Sequence, residues 1–238
     1  MRKRISYMIV LAMLLVSAQH SLAQNGGISI AAGAASFRMG DMKYLQEHIL
    51  STYPVEGKIT SSFPPFTTAS FTVFKQLYDH IRVGGRYNYS TTGAKSSYAD
   101  YSGDIYTEFN AVSHRLGAYL SYLVLGGDRI ELSLNGSLDA NYTSMTIQSY
   151  YTIFNYSDGL SNKYRSISPS IAVGGELMYK LKKLSLGMEA GYLVDLKGNL
   201  KDTSDGDPLL DPKDLDRVLS SDWTGWYLQL KTLIWLDF

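Results

Sequence analysis

The sequence predicts an all-β fold: an eight-stranded antiparallel up-and-down transmembrane β-barrel with short helices in its surface loops. Three features predict it. The N-terminus is built for export, apolar and polar residues alternate with a period of two in eight separate segments, and the connections between those segments are alternately very short and long.

The N-terminus places Arg2, Lys3 and Arg4 before the apolar stretch Met8 to Val16 and then Ser21-Leu22-Ala23, a small-x-small site with cleavage expected before Gln24. This is the three-part pattern of a secretory signal peptide, so residues 1–23 are expected to be removed and residues 24–238 to form one barrel domain. The apolar stretch is shorter than the roughly 20 residues of a membrane-spanning helix, and no later run approaches that length. The chain has no cysteine, which excludes a disulfide framework, thiolate metal sites and a lipoprotein anchor. Lys and Arg number 22 against 22 Asp and Glu, a balance that points away from a nucleic-acid partner. The 19 Tyr and 21 Gly favour β-structure with aromatic surfaces.

Alternation is clearest over 129–142, where Ile130, Leu132, Leu134, Leu138 and Tyr142 share one face and Arg129, Glu131, Ser133, Asn135 and Asp139 share the other. Segments 81–90 and 184–197 repeat it, and 27–38, 66–78, 106–125, 166–181 and 223–238 complete eight strands, each long enough to cross a bilayer at a tilt. Asp79-His80, Gly126-Gly127-Asp128 and Lys182-Lys183 are tight turns by length. The intervening stretches 39–65, 91–105, 146–165 and 198–222 are expected to be long surface loops, so the short turns belong on the periplasmic side of an outer membrane in a Gram-negative cell.

Volume decides which face meets lipid. Eight strands enclose a space that side chains just fill, and the apolar face carries too many bulky residues to fit there, whereas the Ser, Gly, Ala and charged face suits a crowded lumen. Aromatic positions agree: Tyr87, Tyr89, Tyr142 and Trp226 fall near the outer rim and Tyr122, Tyr179 and Phe238 near the periplasmic rim, all with lipid-face parity. The lumen is then expected to hold Arg82, Arg86, Arg115, Lys180, Lys197 and Lys231 against Glu131, Asp139, Glu176, Glu189, Asp195 and Asp237, a set that must pair to be tolerated and that blocks a continuous pore.

The C-terminal run from Trp226 to Phe238 places Leu230, Ile234, Leu236 and Phe238 at alternate positions ending on an aromatic residue, with Thr232 a weaker fit. With this ending the mature chain resembles the small OmpA/OmpX-type outer-membrane barrels and, more loosely, the PorT-like outer-membrane β-barrel proteins. The resemblance implies that these four residues are read by the barrel-assembly machinery and that the protein contacts outer-membrane lipid and lipopolysaccharide.

Chemistry is sparse. Small barrels of this kind include lipid-modifying enzymes that use His and Ser near the outer rim, but Ser113 and His114 are adjacent on a strand and point to opposite faces, His80 lies in a periplasmic turn, and no spacing singles out a partner for His48. Asp202, Asp205, Asp207, Asp211, Asp214 and Asp216 crowd one loop without matching a calcium-loop pattern. No catalytic, cofactor or metal site is expected. Asp41 is placed to cap a helix with Met42, Leu45 and Ile49 on one side, and Asp211-Pro212 with Leu215, Val218 and Leu219 suggests another. These apolar faces form a lid on the barrel or a platform for a protein partner, the barrel wall being the other contact surface. The reading is a non-enzymatic barrel, either surface-binding or an accessory subunit of a larger outer-membrane assembly; a lipid-modifying enzyme and a small gated channel are the rival classes.

Overall fold

The computed structural model describes residues 26–53, 57–101, 103–154 and 156–236. The signal peptide, its cleavage site, Asp237 and Phe238 lie outside the described residues. Eight long strands form the barrel: β1 (Gly26–Ala35), β2 (Phe66–Tyr78), β3 (Ile81–Asp100), β4 (Gly103–Gly126), β5 (Ile130–Ile153), β6 (Tyr156–Leu181), β7 (Leu184–Asp195) and β8 (Gly225–Leu236). Each pairs antiparallel with its neighbours in sequence, and β1 pairs with both β2 and β8, which closes the ring and leaves no open edge in the membrane.

Following paired residues from Gly26 through Lys75, Val83, Leu120, Gly136, Val173, Tyr192 and Trp226 returns the ladder to β1 at Ser36, whose N–H donates to the Trp226 carbonyl. That stagger from Gly26 to Ser36 tilts the strands by about 40°. Gly117 allows part of the close packing inside, since a Cβ there would meet the Leu138 carbonyl oxygen at 2.0 Å and Asp139 Oδ1 at 2.4 Å.

The strands are unequal for a physical reason. β1, β7 and β8 have 10, 12 and 12 residues, enough to cross the hydrocarbon, whereas β4, β5 and β6 have 24, 24 and 26. In β5 the outward residues run Leu134, Leu138, Tyr142 and then Ser144, Thr146, Gln148; the inward residues run Ser133, Asp139, Thr143 and then Met145 and Ile147. The alternation persists but exchanges faces near residue 143. β3 and β4 do the same, with Ala94, Phe109 and Ala111 facing in and Lys95, Glu108 and Asn110 facing out. Below the exchange the barrel is apolar outside and polar inside; above it the sheet has the apolar interior of a water-soluble protein. The described residues of 91–105 and 146–165 are therefore not loops but continuations of paired strands, with the ladders running up to Asp100 opposite Gly103 and Ile153 opposite Tyr156.

The helix α1 (Gly40–Ser51) follows β1, and its N-cap is Met39 in the left-handed region with no side-chain cap bond. Asp41 does not cap it; its Oδ2 accepts the Ser220 N–H at 3.0 Å and Ser220 Oγ at 2.6 Å, and it pairs with Arg217. The second expected helix is instead a small hairpin of Leu210–Asp211 and Asp214–Val218. Pro212 and Lys213 form its turn, and Asp211 Oδ1 accepts the Lys213 N–H at 2.8 Å.

Candidate functional site

The lumen is built in layers along the barrel axis. Nearest the periplasm, Arg82 donates to Glu131 at 2.5 Å, Lys180 lies 3.5 Å from the same carboxylate, and the Arg82 guanidinium sits over the rings of Trp235 and Phe74. Phe74, Tyr119, Met178 and Leu233 pack with Trp235 into an apolar layer there. Above them is the main charge cluster. Arg86 makes a two-pronged contact with Glu189, at 2.7 and 2.6 Å, and Lys231 bridges Glu189 at 3.1 Å and Glu176 at 2.5 Å. Tyr227 adds a hydroxyl donor to Glu189, and the Tyr119 ring lies under both Arg86 and Lys231.

Higher still, Arg115 is buried, with the Asp139 carboxylate the leading opposite charge acting on it. It shares with Arg86, Asn88, Ser137, Ala172, Tyr227 and Gln229 a cavity of about 10 Å³, room for a single water and far short of a passage. Asp139 accepts from Ser137, and Asp195 accepts from Ser168 Oγ, Asn141 and the Trp223 N–H. Lys197 is not lumenal: its side chain is more than half exposed and lies 3.7 Å from Asp222 at the rim.

Over this polar column sits an apolar cap. Phe37, Met39, Met42, Leu45, Phe63, Phe109, Met145, Leu200, Leu219 and Trp223 are all buried in one cluster. Trp223 donates from Nε1 to Thr143 Oγ1 at 2.9 Å and packs edge-on against Phe37 at 4.7 Å. So the expected partner-facing residues Met42, Leu45 and Leu219 are turned into the barrel's own mouth, Ile49 is half-buried against the same cluster, Val218 is half-buried, and Leu215 alone of the six is exposed. The helix is a lid. Trp223, the largest buried side chain in it, is the residue that sequence reasoning missed, because the expected strand 223–238 gave it the parity of the polar face.

The remaining titratable groups are dispersed. His48 stacks on Tyr44, His114 points outward and bonds Tyr87 Oη at 2.7 Å, and Ser113 points inward to Asn141. Most acids of the 198–222 segment have a local donor: Asp202 has Ser204, Asp205 the Asp207 N–H, Asp211 the Lys213 N–H, Asp214 the Asp216 N–H and Asp222 the Thr224 N–H. The Lys213 N–H, aided by Tyr44 and Arg217, holds the Asp211 carboxyl below the usual carboxylate range. Among the described residues no group of three or more His, Asp or Glu is arranged to hold a metal ion.

The outer wall decides where the molecule resides. Leu116, Leu120, Leu134, Leu138, Ile171, Val173 and Leu230 are all exposed on an apolar belt around the wall, the kind of surface that marks contact with a membrane rather than with water. It is edged above by Tyr87, Tyr89 and Tyr142, each against the His114 ring, and by the Tyr192–Trp226 pair, and below by Tyr122 and Tyr179. The protein is an integral outer-membrane β-barrel.

The chain is similar to solved outer-membrane proteins at low identity. Neisserial surface protein A is 13% identical, with 90% of this chain and 97% of that chain covered and a TM-score of 0.45. A major outer membrane protein from Thermus thermophilus is 14% identical, with 89% and 99% covered and a TM-score of 0.48. Ail, the attachment invasion locus protein of Yersinia pestis, is 12% identical, with 90% and 99% covered and a TM-score of 0.35. No protein-family model matches the chain. No curated protein matches it in sequence.

The face assignment makes a direct prediction. Leu134, 58% exposed on the belt, is expected to lose about 2 to 4 kcal/mol of barrel stability on Leu134→Arg. Ser133→Arg, one residue away but buried in the lumen, acts by crowding beside the Arg82–Glu131 pair. Urea unfolding in vesicles, with and without anionic lipid to pair the new charge, checks it: anionic lipid relieves the first variant and not the second.

Proposed function

We propose that the protein is a non-enzymatic surface-binding barrel, acting alone or as an accessory subunit of a larger outer-membrane assembly, and that its contact is made by the sheet of β3 to β6 above the membrane. At about 2.5 Å of height per residue for a tilted strand, the eleven steps from Tyr142 to Ile153 lift that sheet roughly 28 Å beyond the aromatic rim. Its tip is aromatic and exposed, with Tyr101 96%, Phe154 73%, Tyr156 59% and Leu160 72% accessible.

The observation that carries the reading is the edge of β6. The opposite edge of the sheet, on β3, is covered by Lys58–Ser62. On β6, residues Lys201–Asp202 pair only with Arg165 and Tyr164, and Thr203 N–H reaches the Lys163 carbonyl; residues 156–162 have no strand on that side among the described residues. That stretch has no proline and a single charge, Asp158, whereas exposed edges are ordinarily blunted. An extended segment of a partner protein can add to such an edge, with its alternate side chains beside Leu160 and Tyr156. The two apolar seals and the closed charge layers of the lumen give no support to a channel, and the scattered His and Ser give none to a hydrolase.

The test is to replace 95–108 and 148–161 with short Asn-Gly turns, confirm folding by heat-modifiable migration, and compare proteins retained by wild type and variant from mild detergent. Loss of a specific partner is expected. An unchanged partner set moves the contact to the lipid-facing wall or the periplasmic turns, and conductance in planar bilayers or an altered lipid A mass profile replaces the proposal with a channel or an enzyme.

A further inference from the structure

A second surface feature lies at the foot of the same sheet. Arg165 on β6 and Lys201 are directly paired across strands, and Lys163 follows two residues along the same face of β6. Cβ atoms of such a pair are about 5 Å apart, and like charges placed so are destabilising. All three side chains are exposed, and among the described residues none has an ion-pair partner. The nearest acid in sequence, Asp202, pairs with Tyr164 and so belongs to the opposite face, where its carboxylate is held by Ser204.

Position narrows what neutralises them. Ile167, two residues below Arg165 on the same face, is 74% exposed in the lipid-facing belt, and its cross-strand neighbour Tyr142 belongs to the outer aromatic rim. The cations therefore stand just above the outer edge of the hydrocarbon, where Arg and Lys stems reach down to the headgroup layer. Ser144 and Thr146, the partners of Arg165 and Lys163 on β5, place two hydroxyls on the same face.

We propose that Lys163, Arg165 and Lys201, with Ser144 and Thr146, form a binding site for a phosphate group carried by a glycolipid of the outer leaflet. One phosphate set between Arg165 and Lys201 receives donors from both strands and converts a repulsive pair into two charge-assisted contacts. Lys163 supplies a third positive charge. The site is continuous with the membrane interface, so the occupant is a lipid headgroup whose acyl chains lie along Ile167 and the belt below it.

The test uses the full barrel in detergent, with heat-modifiable migration confirming the fold of each variant. Native mass spectrometry titrates it with bis-phosphorylated lipid A and with the same lipid after removal of its phosphates. Wild type is expected to prefer the phosphorylated lipid by about tenfold or more, Arg165→Gln to lose several-fold of that, and the triple Lys163→Gln, Arg165→Gln, Lys201→Gln variant to show no preference. Lys182→Gln, in a periplasmic turn, is expected to match wild type. A triple variant that keeps the preference, a wild type without one, or displacement of the lipid by inorganic phosphate at equal concentration overturns the assignment.

Discussion

Glu189→Ala is expected to destabilise the barrel by about 3 to 5 kcal/mol, because it strips the acid from a fully buried cation. Glu189 has a side chain with 0% exposure and accepts from Arg86 twice, from Lys231 and from Tyr227. Lys231 keeps Glu176 in the variant, but Arg86 keeps only the Thr72 hydroxyl and the Tyr119 ring. The loss thus falls on one guanidinium, and removing it as well offsets most of the damage: Glu189→Leu with Arg86→Met is expected to be much closer to wild type than either single change. Urea unfolding in lipid vesicles reads the wild type, the single variants and the double variant. A single variant within about 1 kcal/mol of wild type contradicts the buried-pair account.

Trp223→Ala is expected to cost the cap about 3 to 5 kcal/mol, the range for removing a fully buried large aromatic side chain, while leaving the membrane barrel closed. Trp223 fills the space between Phe37, the lid and Thr143, directly above the Asp195 layer, and the strand ladders below do not depend on it. Its loss therefore shows as local opening of 198–222 and α1 rather than as global unfolding. Limited proteolysis within 198–222 should accelerate with heat-modifiable migration unchanged. Simultaneous loss of both shows that the cap and the barrel are one cooperative unit.

The membrane half of this architecture is legible in the sequence because one rule holds along each crossing: Leu134 and Leu138 outside, Ser133 and Asp139 inside, with tight turns at Asp79-His80 and Lys182-Lys183. The upper half is not legible by that rule. At Ser144 and Met145 the solvent outside changes from lipid to water, the alternation swaps sides, and a reader tracking an apolar outer face sees the strand stop. Leu215, Val218 and Leu219 mislead differently, since three apolar residues over five positions fit a helical face as well as a hairpin lying on a lid, and the Asp211 turn decides for the hairpin. The lumenal charges show the limit for sites. Residue parity places Arg86, Glu189 and Lys231 in one interior, but their pairing depends on the stagger of the ring, which only the strand register supplies.

Site-directed spin labels at 134, 138, 146 and 148 on β5 test most directly the claim that one strand face passes from lipid into water while keeping its direction. All four positions share outward parity. In lipid vesicles, labels at 134 and 138 should be relaxed by oxygen and shielded from a water-soluble nickel chelate, and labels at 146 and 148 should show the reverse, with the crossover at Tyr142 to Ser144. Chelate access at 134 and 138, or oxygen-dominated relaxation continuing through 148, contradicts the account.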